Sequence, residues 1–266
     1  MSERTGGSGL EFASLTDVGR VRPHNEDYLG DPASMAAFVG DRGRLSRLGW
    51  LFAVADGMGG HAGGEVASRV AIEALFSSYY ASGKSPRLAL EEAVAAANAA
   101  VCRAADASAE TGMPLTRMGT TLVAALIAEQ DLHVANVGDS RAYLLAGGVL
   151  RQLTQDHSFV AEEVRLGIIR ADEARRAPLR NVVTRALGAR ESAAPDLFHA
   201  PWDVDSVLLI CTDGLHGVVE DRAMGPMVGK DPPERSVRRL IDAANAGGGP
   251  DNISAIVVRA GRPPES

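Results

Sequence analysis

Cysteine is scarce in this sequence, and the two that occur form no recognisable motif. Cys102 and Cys211 are the only cysteines among the 266 residues, and they lie far apart in the chain. Redox and zinc motifs place their cysteines or histidines at close, regular spacings, and no such cluster is present. We therefore expect both cysteines to be reduced, buried thiols.

Basic charge is also in deficit. The chain carries 27 Lys and Arg residues against 34 Asp and Glu residues, a formal net charge of -7. A general nucleic-acid binder needs a basic surface to neutralise phosphates, so we exclude that class. A phosphate-binding site on this acidic chain must supply its own local positive charge, from arginine or from a metal ion.

Long apolar runs are absent as well. The longest, such as residues 121–128, are far too short to cross a bilayer. No basic segment followed by an apolar stretch opens the chain, as a signal peptide would. Residues 1–9 and 261–266 are polar and are expected to be flexible tails. These absences predict a cytoplasmic protein with no membrane partner.

The composition that remains is close to the globular average, with 45% hydrophobic and 23% charged residues. The length and the lack of a long linker favour one domain over residues 10–260. Strands are predicted at 51–55, 120–128, 132–137, 142–145, 149–153, 207–212 and 253–258, and helices at 65–80, 86–105 and 234–246. Short connections between successive strands favour antiparallel pairing, and Gly147-Gly148 predicts a tight hairpin turn.

The segment 155–187 differs from the rest of the chain in composition and pattern, because it is charged, rich in arginine and only weakly periodic. We interpret it as a flap subdomain on the surface. Its arginines are predicted to be mostly solvated, with steering of phosphopeptides as the alternative role. They are Arg165, Arg170, Arg175, Arg176 and Arg180.

Four aspartates share a local context that suits hard cations. Asp56 and Asp213 each end an apolar run and precede a glycine, Asp139 lies between two strand-like pieces, and Asp251 precedes the last strand. Hard divalent cations prefer such oxygen ligands, and glycines let backbone carbonyls approach them. A simple turn is the alternative for any single Asp-Gly pair, so the spacing favours a metal site without proving one.

Eight short segments, in order along the chain, resemble the motifs of the bacterial metal-dependent protein phosphatases, also called type 2C protein phosphatases. They are TDVGRVRPHNED at 16–27, DGMGGH at 56–61, GTT at 119–121, NVGDSR at 136–141, LTQDHS at 153–158, RNVVTRALG at 180–188, CTDGL at 211–215 and DNIS at 251–254. Each is weak alone, but together they are specific and cover about residues 12–258.

The resemblance implies a fold and an activity. The fold would be α+β, a four-layer α-β-β-α sandwich of two antiparallel sheets with helices on both outer faces. The activity would be that of a monomeric protein-serine/threonine phosphatase that opposes a bacterial Ser/Thr protein kinase and acts on its phosphorylated substrates. The cofactors would be two core Mn²⁺ or Mg²⁺ ions, with a possible third.

The resemblance also implies roles for the metal ligands. Asp56 would bridge two ions, with the Gly57 carbonyl as a further ligand. Asp213 and Asp251 would hold one of the same pair, and Asp139, with Asp213, would contribute to the third position.

Four further residues complete the implied site. Glu26 and Asp27 would act mostly through metal-bound waters, Arg22 would bind the substrate phosphate, and His61 would be the general acid for the leaving alcohol. A hydroxide formed between two dications would attack phosphorus in line, without a phosphoenzyme.

Plainer interpretations stay open for several of these residues. Arg22 could be a surface arginine, His61 a polar residue at a helix start, and Glu26 and Asp27 turn-capping groups. Residues 57–60 could be mistaken for a nucleotide-binding loop, but they lack the lysine of a P-loop.

A non-catalytic module that binds phosphoproteins is the alternative function, and the complete carboxylate set favours the enzyme. His24 and His216 are small departures from the family's pattern that remove no proposed ligand.

Overall fold

The computed structural model describes residues 4–5, 9–59, 62–110, 118–174, 176–189 and 193–261. Within them, the strands form two antiparallel sheets. The first sheet contains, in spatial order, β1 (Arg4–Thr5), β2 (Leu10–Asp17), β12 (Ile253–Ala260), β11 (Val207–Cys211), β8 (Arg141–Ala146) and β9 (Val149–Gln152). The second contains β10 (Asp196–Pro201), β7 (Asp131–Val137), β6 (Leu122–Ala128), β4 (Trp50–Met58) and β3 (Asp27–Gly30), with β5 (Gly119–Thr120) paired to β4.

The two sheets pack face to face through apolar side chains. Phe12 of the first sheet meets Phe52 of the second edge-on, with ring centroids 5.2 Å apart. Strand β11 is buried along its whole length because both its faces are covered. Its residues alternate between two hydrophobic cores. Leu208 and Ile210 face the other sheet, while Leu209 faces the helices on the outer side.

Helices cover both outer faces, which completes the predicted α-β-β-α order. The long helices α3 (Ala62–Ala81) and α4 (Pro86–Glu110) pack on each other and cover the second sheet, whereas α7 (Asp213–His216), α8 (Asp221–Val228) and α9 (Pro233–Ala246) cover the first. The short helices α1 (Ala36–Val39) and α2 (Arg42–Leu48) precede β4, and α5 (Phe159–Arg165) and α6 (Ala171–Ala174) lie between β9 and β10.

The helices bury the faces that their sequence periodicity indicates. On α4 the predicted stripe is fully buried, and it consists of Leu90, Val94, Ala97 and Val101. On α9 the buried positions Val237, Leu240, Ile241 and Ala244 recur at helical spacing, and a proline starts the helix, where no backbone donor is needed. At the β8–β9 turn both Gly147 and Gly148 have positive φ, as a tight hairpin requires.

Several boundaries differ from the sequence-based predictions. The strand predicted at 51–55 continues to Met58, because Gly57 and Met58 pair with β5. Helix α4 runs through Glu110, beyond the predicted end at 105. Residues 111–117 lie outside the described residues.

Short and polar elements were missed by the sequence reasoning. Strand β10 is an edge strand whose residues alternate between less and more exposed, and β3 has only four residues. Arg4–Thr5, inside the segment expected to be a flexible tail, pairs with β2. No helix among the described residues has both the length and the apolar character that a membrane crossing requires.

Candidate active site

A cavity of about 360 Å³ opens at one edge of the sandwich, between the two sheets. Five of its lining residues are acidic: Glu26, Asp56, Asp139, Asp213 and Asp251. The others are Arg22, Pro23, His24, Gly57, Met58, Gly59, Thr121, Asn181, Val183 and Asn252. Carboxylates from five separate parts of the chain therefore converge on one space.

Asp56 lies within β4 and is held by the backbone on both sides. Its N–H donates to Thr121 Oγ1 at 3.0 Å, and its carbonyl accepts from the Thr121 N–H at 2.9 Å and the Thr120 hydroxyl at 2.8 Å. These bonds fix the carboxylate at the floor of the cavity. Burial raises the pKa of Asp56 well above its usual value, and the neighbouring aspartates raise it further.

Gly57 allows the chain segments around Asp56 to approach closely. Its N–H donates to the Glu26 carbonyl at 3.1 Å. A Cβ at Gly57 would lie 2.1 Å from the Gly64 carbonyl oxygen and 2.6 Å from that of Glu26. Ser68 on α3 also donates to the Glu26 carbonyl, at 2.6 Å. The first turns of α3 are thereby fastened to the segment that carries Glu26.

Asp27 lies directly behind the cavity and is buried. Its Oδ2 accepts hydrogen bonds from the hydroxyls of Ser254 at 2.7 Å and Thr212 at 2.9 Å. Its Oδ1 is buried and has no hydrogen-bond partner. Burial raises the pKa of Asp27 to about 7, against the lowering effect of the two hydroxyls.

Asp213 begins helix α7, and its Oδ1 is also buried without a hydrogen-bond partner. Burial, and after it the charge of Asp251, raise the pKa of Asp213 to about 6.

Asp139 follows Gly138 at the end of β7. Gly138 has φ +110°, and a Cβ there would lie 2.6 Å from Thr121 Cβ, so the turn requires glycine. Burial and then the charge of Asp213 raise the pKa of Asp139 to about 8. His216 Nε2 donates to the Asp139 carbonyl at 3.0 Å, which fixes the backbone of this turn.

The last strand and the opening motif meet at Asp251 and Asn252. Asp251 accepts from the Arg22 guanidinium at 2.7 Å. The Asn252 side chain accepts from the Glu26 N–H at 2.8 Å and donates to the Val18 and His24 carbonyls at 3.0 and 2.8 Å. Asn252 therefore holds the opening motif in place beside the cavity.

These residues fit a centre for hard divalent cations. Several carboxylates face one another in a buried space, where like charges would otherwise repel, and among the described residues Arg22 is the one arginine that lines it. The Oδ1 atoms of Asp27 and Asp213 are buried acceptors without donors, a costly arrangement unless a cation or its water satisfies them. Oxygen-only donor sets of this kind suit Mg²⁺ and Mn²⁺.

Comparison with known proteins agrees with this geometry. The profile of the family described as Protein phosphatase 2C matches residues 41–255, which is most of the chain. The chain belongs to the protein phosphatase 2C family.

Relatives in this family match over nearly the whole chain. The serine/threonine phosphatase stp of Listeria monocytogenes is 37% identical over 249 residues, which cover 91% of this chain and 93% of that protein. The crystal structure of the Mycobacterium tuberculosis phosphatase PstP/Ppp aligns with a TM-score of 0.82 and 36% identity, covering 96% of this chain and 100% of that one. The catalytic domain of PstP in complex with two manganese ions aligns with a TM-score of 0.79 and 36% identity, covering 94% of this chain and 98% of that one.

Most of the site residues proposed from the phosphatase 2C motifs lie together. Around the one cavity the structure places Arg22, Glu26, Asp56, Gly57, Asp139, Asp213 and Asp251. Asp27 lies behind it. His61 lies outside the described residues, so its role as general acid stays a prediction.

Other cavity residues were not singled out by the sequence reasoning. Asn181 and Val183 line the cavity from the flap motif at 180–188, and Thr121 lies beside Asp56. His216, noted only as a departure from the family pattern, supports Asp139. The motifs contained Asn181, Val183 and Thr121, but their letters alone did not indicate which side chains would face the cavity.

Asp156 and His157, from the motif at 153–158, are not among the residues that line the cavity. Asp156 forms a two-point ion pair with Arg141. His157 is buried, its Nδ1 accepting from the Gly138 N–H at 3.0 Å and its Nε2 donating to Asp196 at 3.0 Å. Asp156 thus fastens the flap to the start of β8, and His157 fastens it to the turn after β7 and to the start of β10.

Proposed function

We propose that this chain is a metal-dependent phosphoprotein phosphatase that hydrolyses phosphoserine and phosphothreonine. The observation that carries the proposal is the convergence of five carboxylates on one cavity, with buried carboxylate oxygens that lack donors. The cofactors are two core Mn²⁺ or Mg²⁺ ions, with a third at a weaker position.

The metal ligands in this proposal follow the positions of the side chains. Asp56, Asp213 and Asp251, with the Gly57 carbonyl, would hold the core ions, and Asp139 with Asp213 would hold the third. When bound, such ions neutralise charge and lower the pKa of water towards neutrality, which supplies a nucleophile for the phosphoester.

Glu26 and Asp27 support the centre from outside the core set. The Oδ2 atom of Asp27 is held by two hydroxyls, so only Oδ1 remains to orient a water. Glu26 is fixed through its backbone by Gly57, Ser68 and Asn252, and its carboxylate faces the first turn of α3.

Arg22 orients the substrate phosphate. Its side chain is half exposed at the mouth of the cavity and pairs with Asp251. A planar guanidinium matches two phosphate oxygens, so the phosphate competes with Asp251 for this cation. His61 would donate the proton to the leaving serine or threonine oxygen.

The partners in this proposal are phosphorylated proteins and the Ser/Thr kinase that produces them. Flap arginines are exposed, among them Arg165, Arg176 and Arg180, while Arg170 pairs with Asp172. We propose that the exposed ones steer acidic phosphopeptides. Charge reversal at Arg165 should then lower kcat/KM for an acidic phosphopeptide and leave turnover of p-nitrophenyl phosphate unchanged. A monomeric state and a cytoplasmic location stay predictions.

The test is release of phosphate from a phosphothreonine peptide after the protein has been stripped of metal. We expect no turnover without added metal and recovery with Mn²⁺. An unchanged rate after chelation would contradict the mechanism. Binding of the peptide without turnover, even in Mn²⁺, would favour the non-catalytic module instead.

A second variant tests the third ion. Asp139→Ala should bind one Mn²⁺ fewer per chain and turn over more slowly, while the core pair remains bound. An unchanged stoichiometry would remove Asp139 from the set of ligands.

A further inference from the structure

Two histidines and an aspartate meet on the second sheet, at the end of β7 opposite the acidic cavity. His133 of β7 lies directly across from His199 of β10 in the strand pairing. Asp131 lies two residues before His133, so all three side chains point to the same face. The two imidazole centroids are 5.1 Å apart, and His199 Nε2 lies 2.6 Å from Asp131 Oδ1.

The three side chains already present their ligand atoms to a common point. One nitrogen from each histidine and one oxygen of Asp131 lie within 4.8 Å of one another. Zinc bound to nitrogen at about 2.0–2.1 Å in a tetrahedron separates its ligands by roughly 3.4 Å. Ligand atoms that are now up to 4.8 Å apart would have to approach by up to roughly 1.4 Å, and His199 Nε2 and Asp131 Oδ1, now 2.6 Å apart, would have to separate.

Space for an ion and a further ligand is present beside the group. A cavity of about 350 Å³ is lined by His133, His199, Leu197, Phe198, Arg87 and Leu90. Arg87 is the nearby cation, and it forms an ion pair with Glu91 at 3.2 Å on the exposed surface of α4. Glu91 thereby partly compensates the positive charge of Arg87. Because Arg87 lines the same cavity as the two histidines, it would favour an anion as the fourth ligand of the metal.

The donor set selects one class of metal. Imidazole nitrogens favour zinc and its neighbours in the transition series, whereas Mg²⁺ and Mn²⁺ prefer the all-oxygen set of the acidic cavity. We propose that Asp131, His133 and His199 form a second metal site, of the zinc class, on the outer face of the second sheet. Three protein ligands leave the fourth position open to water or to an anion.

This site is remote from the proposed catalytic ions. Six residues of extended chain separate His133 from Asp139, a distance of roughly 20 Å. The bound ion would fasten the edge strand β10 to β7. Strand β10 carries at its other end Asp196, which accepts hydrogen bonds from His157 and Arg185 of the flap segment. The site therefore stabilises the strand pair on which the flap is anchored.

The test is a titration with Zn²⁺ in a large excess of Mg²⁺, followed by ¹⁵N NMR of the histidine side chains and by calorimetry. We expect the imidazole signals of His133 and His199 to shift together with one equivalent of Zn²⁺. His199→Gln should abolish the shift at His133 and weaken this binding event at least about tenfold. Asp131→Asn is compared with a charge-matched control, Asp205→Asn, at an exposed aspartate outside the group. The control should leave the titration unchanged.

Activity separates this proposal from the phosphatase proposal. His199→Gln should keep the turnover of p-nitrophenyl phosphate in Mn²⁺, because the group takes no part in the chemistry. Zinc that shifts neither His133 nor His199 would overturn the second site. So would equal zinc affinity in wild type and His199→Gln, which would leave an ordinary surface pair between His199 and Asp131.

Discussion

The two ends of β7 carry side chains of the two proposed metal sites, and these lie in opposite environments. At the end of the strand, Asp139 joins other aspartates in a buried cavity between the sheets. At its start, Asp131 and His133 face outward beside His199, and both Asp131 and His199 are about half exposed. The same strand thus contributes to the proposed all-oxygen centre and to the proposed nitrogen-containing one.

The difference shows how burial decides what a carboxylate can do. In the cavity, desolvation and like charges raise the pKa values of Asp27, Asp139 and Asp213, so the group needs cations to be ionised together. At the surface, Asp131 has a histidine partner and solvent around it. The buried centre should therefore depend strongly on metal for both activity and stability, and the surface group only weakly.

The largest expected effect is the loss of turnover when one buried ligand is neutralised. Asp213→Asn keeps the size of the side chain but removes a charge that the proposed ions need, so kcat/KM for a phosphothreonine peptide should fall about 10³-fold. The same change at the other end of β7, Asp131→Asn, should leave kcat/KM in Mn²⁺ unchanged. Equal losses in the two variants would erase the distinction between the two ends.

A steric change tests how tightly the cavity is built. Gly57→Ala places a Cβ 2.1 Å from the Gly64 carbonyl oxygen and 2.6 Å from the Glu26 carbonyl oxygen. These are backbone atoms, which cannot rotate away as a side chain could. We expect the free energy of unfolding to fall by at least about 3 kcal/mol. Gly83→Ala is the control, because no atom lies within 4 Å of the added Cβ. Denaturant melts of both proteins give the comparison, and a stable Gly57→Ala variant would mean that α3 can move away.

The sequence revealed the acidic centre well because its ligands recur in ordered motifs beside glycines. It also revealed the long elements, since the periodicity of α3, α4 and α9 and the apolar run of β11 follow from burial. It placed the end of β4 too early, because the Asp-Gly pair suggested a turn, while pairing with β5 extends the strand through it.

The histidine group shows the opposite case. His133 and His199 are 66 positions apart, and only the pairing of β10 with β7 makes them neighbours. No zinc spacing exists in the sequence, so a spacing search could not find the group. Strand β10 itself was missed, because this short edge strand contains Asp196, His199 and Pro201 and so has a weak apolar signal.

The pH dependence of stability offers a third way to separate the two ends. In metal-free protein the pKa values of Asp27 and Asp139 are raised to about 7 and about 8, so the folded state holds protons that the unfolded state has released. The stability they contribute is present at low pH and is lost as the pH rises through these values. We expect Tm in chelator to fall between about pH 6 and about pH 8.5, by the equivalent of about 2–4 kcal/mol.

Two controls sharpen this measurement. Mn²⁺ should restore Tm mainly at the higher pH, where the carboxylates are ionised. Asp27→Asn removes one of the two ionisations and should flatten the profile. A Tm that rises with pH in chelator would contradict the raised pKa values.

The smallest effect is expected at the exposed end of β7. The ion pair of Asp131 with His199 is half exposed, and such surface pairs contribute less than about 1 kcal/mol. Asp131→Asn should therefore change Tm in chelator no more than Asp205→Asn does. With Zn²⁺ present the two variants should separate, because only the first removes a proposed ligand. A large loss of stability in Asp131→Asn without metal would show that the group is a structural ion pair, and that burial does not distinguish the two ends of the strand.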